Sequence, residues 1–286
     1  MTRREALSGY LLTAPSAALL FGVAIVPSLA TAWLSLFRLI LVFHEKRFVG
    51  VDNYRFLLHD PRFWTTLGNT TYFAVISVAA EVVLGLVIAL LLDSCAPGKG
   101  LLRAAVLVPW AIPAAISGKM WAWLWNPEYG VLTRILPFHG VNWLGTPGYA
   151  IHAAIVVDVW KTTPFVALLL FAALRSIPED LYRAAAIDGA SPARVLATIT
   201  IPLLRPAILV ALVLRTLDAF RVFDSIYVLT AGGPANTTET LSIYTYKTLM
   251  NQGDFGYGSA LAVATFLCVL SVSAIYLRLA GKDIRP

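Results

Sequence analysis

The chain has 286 residues, of which 58% are hydrophobic and 13% charged, and its mean hydropathy is +0.75. Soluble domains carry roughly 45–50% apolar and about 25% charged residues, so this composition excludes a water-soluble globular protein and a disordered chain. The net charge of +6 would point to nucleic acid in a soluble protein; here it reads as the Lys and Arg excess of a membrane protein's cytoplasmic loops, and no nucleic-acid partner is expected.

Backbone groups inside a bilayer must be satisfied within the segment, so long apolar runs imply helices, and an outer-membrane barrel would show ten-residue alternation instead. A span needs about 20 apolar residues. Six stretches qualify: Leu11–Phe37, Thr70–Leu92, Leu102–Trp125, Tyr149–Leu174, Ala207–Val228 and Gly258–Leu279. The first has Arg3 and Arg4 in front and Ala30-Thr31-Ala32 behind, the shape of a signal peptide, but its apolar character continues to Phe43 and it reads as a retained helix. Pro109 and Pro113 are expected to kink the third. With the N-terminus in the cytoplasm, the inside segments hold 11 Lys and Arg and the outside segments 7, which puts both termini inside. Five of the outside charges sit in the loop Arg38–Arg62, which is expected along the interface. Cys95 and Cys268 read as packing residues. The expected architecture is an all-α membrane protein of six transmembrane helices, a single domain over 1–286.

The segment 175–205 between spans four and five does not look like a passive connector. Ser176-Ile177-Pro178-Glu179 has the form of a capping box, and Pro178 suits a first helical turn. Leu181, Ala184 and Ala185 recur at helical spacing until Asp188-Gly189 breaks the helix. Ser191-Pro192 starts a second helix, which Leu196, Ile199 and Ile201 continue and Pro202 is expected to end. The cytoplasmic face thus carries helix, glycine turn, helix. The hairpin either only links two spans, or its small residues admit another protein.

Charges inside the spans are costly and mark function or pairing. Asp158 and Lys161 on span four, and Arg215, Asp218 and Arg221 on span five, are spaced i, i+3 and share a helix face. They form a structural salt-bridge network between helices, line water, or make a polar sugar site, in which Phe165 would stack on a sugar face. Glu81 and Lys119 either line the path or pair with a neighbour. Trp110, Trp121, Trp123 and Trp125 read as interface anchors or packing. His44, His59, His139 and His152 form no metal-ligand pattern. No G-x-x-x-x-G-K-[ST] occurs, since Lys99, Lys119 and Lys282 follow Gly but precede Gly, Met and Asp, so the chain does not read as an ATPase. An ion-coupled transporter using Asp158, Asp218 or Glu81 as a relay is the competing reading.

Arg183-Ala184-Ala185-Ala186-Ile187-Asp188-Gly189-Ala190, followed by Ile199-Thr200-Ile201-Pro202, resembles the EAA loop of permease subunits of binding-protein-dependent ABC importers. Phe48–Tyr54, Asp60–Trp64, Asn69-Thr70, Val108-Pro109-Trp110 and Leu229–Pro234 are similar to the carbohydrate branch of that family. The stretches Lys161–Leu174 and Arg215–Thr230 are most like the trehalose and maltose importers. The resemblance implies a type I permease fold with a cytoplasmic coupling helix, in a bacterial inner membrane among lipid. It implies a second homologous permease, two ATPase subunits that bind ATP and Mg, and an extracytoplasmic sugar-binding protein, with no catalysis and no cofactor in this chain. Arg183, Ala184, Ala185, Asp188, Gly189, Ala190 and Ser191 would meet the ATPase, although the family usually has Glu where Arg183 stands. Anchored on Trp160 and Pro164, and on Gly232-Gly233-Pro234, the maltose-type sugar-contacting positions fall on Asp158, Lys161, Thr162 and Phe165, and on Arg215, Asp218, Ala219 and Val222. Trehalose, maltose, a longer oligosaccharide and glycerol phosphate all remain candidates, with the nearby Asp residues favouring a neutral solute.

Overall fold

The computed structural model describes residues 3–94, 99–135 and 141–283; Cys95, His139 and Arg285 lie outside them. Five of the described helices are long and apolar enough to cross a membrane, and a bent pair makes a sixth span if counted as one. The chain divides into two compact units: the residues up to Phe63 with Tyr244–Leu267, and Trp64–Ile243 with the chain from Cys268 onward.

In the first unit, α1 (Arg3–Leu20), a π-turn at Phe21–Ile25 and α2 (Val26–Leu34) run in sequence. The expected span to Phe37 therefore ends early. The reason is local competition for carbonyls: Ser35 Oγ donates to Ala32 O at 2.7 Å, and the Asn53 side-chain amide donates to Ser35 O and Phe37 O at 2.8 and 2.9 Å. These bonds occupy acceptors that a continuing helix would use. The loop expected along the interface forms an antiparallel hairpin, β1 (Phe37–Ile40) and β2 (Glu45–Phe48), followed by α3 (Asp52–His59). The non-hairpin end is closed by Phe37 against Phe48, ring centroids 5.3 Å apart. The short α13 (Leu241–Tyr246) from Tyr244 on and the long α14 (Phe255–Asp283) as far as Leu267 complete this unit's helices. Gly256 is required where α14 passes the hairpin, since a Cβ there would overlap Phe37 O.

Asp60 ties these pieces together. Its Oδ2 accepts from the hydroxyls of Tyr244 and Tyr257 at 2.6 and 2.7 Å, and the Arg62 guanidinium stacks 4.4 Å from the Tyr244 ring. Burial alone would raise the Asp60 pKa, but the two hydroxyls and the backbone N–H groups of Arg62 and Phe63 outweigh it and hold the carboxyl below its ordinary 3.8. Burial and the bond to Asp60 push the Tyr244 hydroxyl up to about 12, so it stays a neutral donor. A depressed carboxyl contributes stability that is complete above the unfolded pKa and is lost as pH falls through the lower folded value. The melting temperature of the purified protein should therefore carry an acid-sensitive component below about pH 4 that is absent from Asp60→Asn; identical pH profiles would remove this role.

The second unit holds α4 (Pro61–Ser94) from Trp64 on, α5 (Lys99–Ala111), α6 (Ala114–Leu124), α7 (Val131–Ile135), α8 (Tyr149–Leu174), α9 (Glu179–Ile187), α10 (Pro192–Val195), α11 (Ile201–Phe220) and α12 (Asp224–Thr230). Helix α8 keeps the expected bounds, and α4 and α14 outrun theirs at both ends. Span three is broken as expected: α5 and α6 meet at 91°. Pro109 and Pro113 supply no N–H to the ladder there, and Pro113 sits at φ −54, ψ 140, outside the helix.

Span five departs from the expected Ala207–Val228. It runs from Pro192 to Phe220, then breaks at 221–223 before α12. Side chains take the carbonyls released at the break: Arg221 Nε donates to Leu217 O at 3.3 Å, and Thr240 Oγ1 to Val222 O at 3.3 Å. Pro202 does not end a helix. A π-turn at Leu196–Thr200 precedes it just as the turn at Phe21–Ile25 precedes Pro27. The widened turn absorbs the missing N–H and the ring of the following proline.

Lipid tails are as apolar as Leu, so the helices of this unit associate by close packing rather than by transfer from water. Their contacts accordingly use small residues: Ala74, Ala153, Ala154 and Ala219 lie in one buried cluster, and Ala89, Ala167 and Ala211 are fully buried. The tightest approach is α4 on α8 at Gly85, where an added Cβ would lie 2.7 Å from Val166 Cγ1 and 3.2 Å from the Ala167 backbone N. Backbone cannot yield as a flexible side chain can. Gly85→Val should lower stability by about 1–3 kcal/mol or more, read as a fall in melting temperature, with Gly85→Ala milder.

Candidate functional site

Three spans of the second unit each contribute to one buried charge cluster. Glu81 comes from α4, Asp158 and Thr162 from α8, and Arg215 and Asp218 from α11. The Arg215 side chain is 6% exposed, Glu81 0% and Asp158 8%, whereas Asp218 is 53% exposed. Arg215 Nε donates to Glu81 Oε2 at 2.6 Å, and Nη2 to Glu81 Oε1 at 3.1 Å and to Asp158 Oδ2 at 3.3 Å. Its Nη1 donates to Asp218 Oδ2 at 3.4 Å. A guanidinium has five N–H groups in a fixed fork, so nearly all of its donor capacity is directed at carboxylates of its own chain. Thr162 Oγ1 lies 2.7 Å from Glu81 Oε1 and 2.6 Å from Asp158 O. Arg221 Nη2 donates to Asp218 Oδ1 at 3.0 Å and is 66% exposed.

The structure thus joins Asp158, Thr162, Arg215 and Asp218 in one network and disposes the other singled-out residues differently. Lys161 Nζ donates to Ile112 O at 2.7 Å and Trp110 O at 3.4 Å, carbonyls that the break between α5 and α6 deprives of helical partners. A cation at a helix C-terminus also suits the local dipole. Phe165 stacks on Trp110, centroids 6.0 Å apart. Ala219 is 1% exposed within the core cluster, and Val222 packs half-buried beside it. Glu81 is the residue whose place the sequence left open; it stands at the centre, paired across a sequence distance of 134 with Arg215. Its mid-span position was the available signal, but spacing along one helix carries no information about a partner on another.

The hairpin between α8 and α11 is the second feature. Helix α9 starts at Glu179, after an extended Pro178 that makes no side-chain cap. The expected capping box is therefore absent: Ser176 Oγ instead donates to Ala173 O at 2.7 Å, because proline disfavours helical backbone in the residue before it and delays the start. The end of α9 follows expectation. Gly189 has φ +67, and Ala190 N donates to Ala185 O at 2.9 Å and Gly189 N to Ala186 O at 3.2 Å, closing the helix with a left-handed residue. Ser191 then caps α10 by accepting from Arg194 N at 3.4 Å. Ala185 faces inward, while Arg183, Ala184, Asp188, Gly189 and Ser191 are exposed and Ala190 is half-buried. Arg183 spends its charge on its own helix, pairing with Glu179 at 3.0 Å and Asp180 at 3.3 Å. Leu181 and Ile187 are 42% and 86% exposed, an apolar display that solvent alone would not favour.

Residues 81–282, which contain both the charge cluster and the hairpin, match the family model of the binding-protein-dependent transport system inner membrane component. The chain belongs to this family. The permease is 47% identical to the trehalose/maltose transport system permease protein MalF of Thermococcus litoralis, over 96% of this chain and 94% of that one. It is 42% identical to the trehalose transport system permease protein SugA of Mycobacterium tuberculosis, over 95% of this chain and 88% of the relative. Its fold matches a chain of a bacterial ABC transporter involved in the import of the acidic polysaccharide alginate, with a TM-score of 0.84 at 20% identity over 99% of this chain and 98% of that chain. At that identity the likeness establishes the type I importer fold of the permease and nothing about its cargo.

Proposed function

We propose that this chain is a membrane-spanning subunit of an ATP-driven importer of a sugar, a disaccharide of the trehalose or maltose kind. The observation that carries this is its end-to-end similarity to the trehalose/maltose permease of Thermococcus litoralis. Both termini and the hairpin 175–205 lie in the cytoplasm. The translocation path is formed with a second, homologous permease; the first span, whose Leu12, Val23 and Trp33 are 81%, 75% and 60% exposed, suits lipid and that partner as neighbours. An extracytoplasmic protein delivers the sugar. Two ATPase subunits bind ATP and Mg and do the hydrolysis, and this chain holds no cofactor.

The hairpin is the lever. Arg183, Ala184, Asp188, Gly189, Ala190 and Ser191 surround an exposed turn whose apolar residues Leu181 and Ile187 seat in the ATPase, and Ala185 anchors it from within. Since α8 and α11 leave the hairpin directly, closure of the ATPase pair moves both spans and shifts the path between two states. The sugar meets the region of Asp158, Lys161, Thr162, Phe165, Arg215, Asp218, Ala219 and Val222, with the exposed Asp218 as its principal acceptor.

Proteoliposomes containing the whole complex, with ATP at the ATPase side and binding protein with labelled trehalose or maltose at the other, should accumulate sugar only when ATP is hydrolysed. Uptake without the ATPases, driven by a proton gradient, would replace this reading with an ion-coupled transporter. Asp218→Asn should raise the KM for sugar about 10- to 100-fold, the loss of a charge-assisted hydrogen bond of about 1.5–3 kcal/mol, with the amount of assembled complex unchanged. An unchanged KM would remove Asp218 from the sugar's contacts.

A further inference from the structure

We infer that Glu81 is a specificity-determining residue: by holding Arg215 it withdraws the cation that would otherwise receive an acidic sugar, and so restricts the path to uncharged ones. This rests on the sugar-importer reading and adds to it a residue and a charge class. Arg215 is the sole Lys or Arg among the described residues that is buried. A desolvated guanidinium with free N–H groups is a strong receptor for carboxylate, sulfonate or phosphate, since its planar fork matches their oxygens. Here that fork is filled from within. Glu81 takes Nε and one Nη2 direction, Asp158 the other, and Asp218 takes Nη1.

The charge balance points the same way. Three carboxylates, Glu81, Asp158 and Asp218, face two guanidiniums, Arg215 and Arg221, while Lys161 is engaged by the carbonyls of Ile112 and Trp110. The carbonyl partners of Lys161 are neutral and leave its charge in place, so three cations face three carboxylates and the cluster has no surplus positive charge to offer an anion. Toward the accessible side it offers Asp218, an acceptor, beside Arg221, a donor. That pair can exchange hydrogen bonds with neutral hydroxyls without leaving either charge unbalanced. Glu81 itself is 0% exposed, so it touches no solute and acts through Arg215 as a positioning residue. Glu81→Gln keeps the side chain's volume and an acceptor for Thr162, but removes the charge that holds Arg215.

The test measures equilibrium binding of two probes to the purified permease–ATPase complex without binding protein: trehalose or maltose, and the same disaccharide with one primary hydroxyl oxidised to a carboxylate. Wild type should bind the neutral sugar at least 30-fold more tightly than the uronate. Glu81→Gln should narrow that ratio at least 10-fold, chiefly by tightening the uronate, and Glu81→Asp should restore most of it. A purely structural role would weaken both probes alike and leave the ratio unmoved, and an unmoved ratio in an assembled Glu81→Gln complex overturns the inference. Equal binding of both probes by wild type also overturns it, while leaving the sugar-importer reading intact. Binding of neither probe by a complex that also fails to take up sugar with the binding protein present counts against that reading itself and takes this inference with it, whereas binding of neither by a complex that does take up sugar overturns this inference alone. Should Glu81→Gln fail to assemble, Asp158→Asn removes the second carboxylate on Arg215 and should narrow the ratio at least threefold; no narrowing overturns the proposal.

Discussion

Arg215→Met is expected to be the most destabilising single change in the chain's membrane-spanning part. It leaves Glu81 and Asp158, 0% and 8% exposed, without the cation that neutralises them. Breaking a buried pair by removing one partner costs about 3–5 kcal/mol, because the orphaned charge stays desolvated. The melting temperature of the detergent-purified protein should drop accordingly, and assembled complex should be scarce. The triple variant Arg215→Met, Glu81→Gln, Asp158→Asn tests the cause. It removes every charge of the buried part together, so no desolvated ion is left without a partner and only the smaller cost of burying two neutral amides remains. Thermal stability should therefore return toward wild type while sugar transport does not. If Arg215→Met melts like wild type, or if the triple variant is worse than the single, the cluster does not hold the three spans together.

The second large effect is expected at Gly189. Its φ of +67 is outside what proline's ring permits, and its N–H is used by Ala186 O. Gly189→Pro must therefore open the turn between α9 and α10. Nothing lies within 4 Å of a Cβ built at Gly189, so Gly189→Ala meets only backbone strain, about 1–2 kcal/mol for a left-handed residue. Transport by the reconstituted complex should fall steeply for proline and modestly for alanine, while ATP hydrolysis persists in both, since the proposed function places the ATPase sites on other subunits. Proline that leaves sugar uptake per ATP at the wild-type value would remove the hairpin from the coupling path.

What could be read in advance followed from local chemistry. Helix α8 was legible to its ends because its apolar run, despite Asp158, Lys161 and Pro164 within it, is bounded by Gly148 and Arg175. The break between α5 and α6 was legible in Pro109 and Pro113, and the end of α9 in Asp188-Gly189, since both signals act through the backbone of the residues that carry them. The break after Phe220 was not legible. The run Arg221-Val222-Phe223 has neither proline nor glycine, and its carbonyls are taken partly by Thr240, a residue distant in sequence. The hairpin Phe37–Phe48 was hidden because its first strand, Phe37-Arg38-Leu39-Ile40, carries the first span's apolar run onward with only a single charge in it. In the charge cluster the i, i+3 pairs on single helices were visible, but their closure on Glu81 belongs to the tertiary fold. Lys161 was misleading for the same reason: its partners are main-chain oxygens of another span, which no pattern of side chains announces.

Helix α4 gives these pieces a common frame. Near one end, the Asn69 amide donates to the backbone of Asn236 and Glu239 at 3.3 and 3.1 Å, just past the Gly232-Gly233-Pro234 loop. In its middle Glu81 grips Arg215, and near the other end Asp93 pairs with Arg175 at 3.4 Å, where the hairpin begins. At 1.5 Å per residue, Asn69 and Asp93 stand about 36 Å apart on one unbroken rod. That rod works as a tie bar with three fastenings. The root of the hairpin, the buried charges and the loop at the far end are thus spaced along one helix, and none of them can shift along its axis without moving α4 or breaking its fastening.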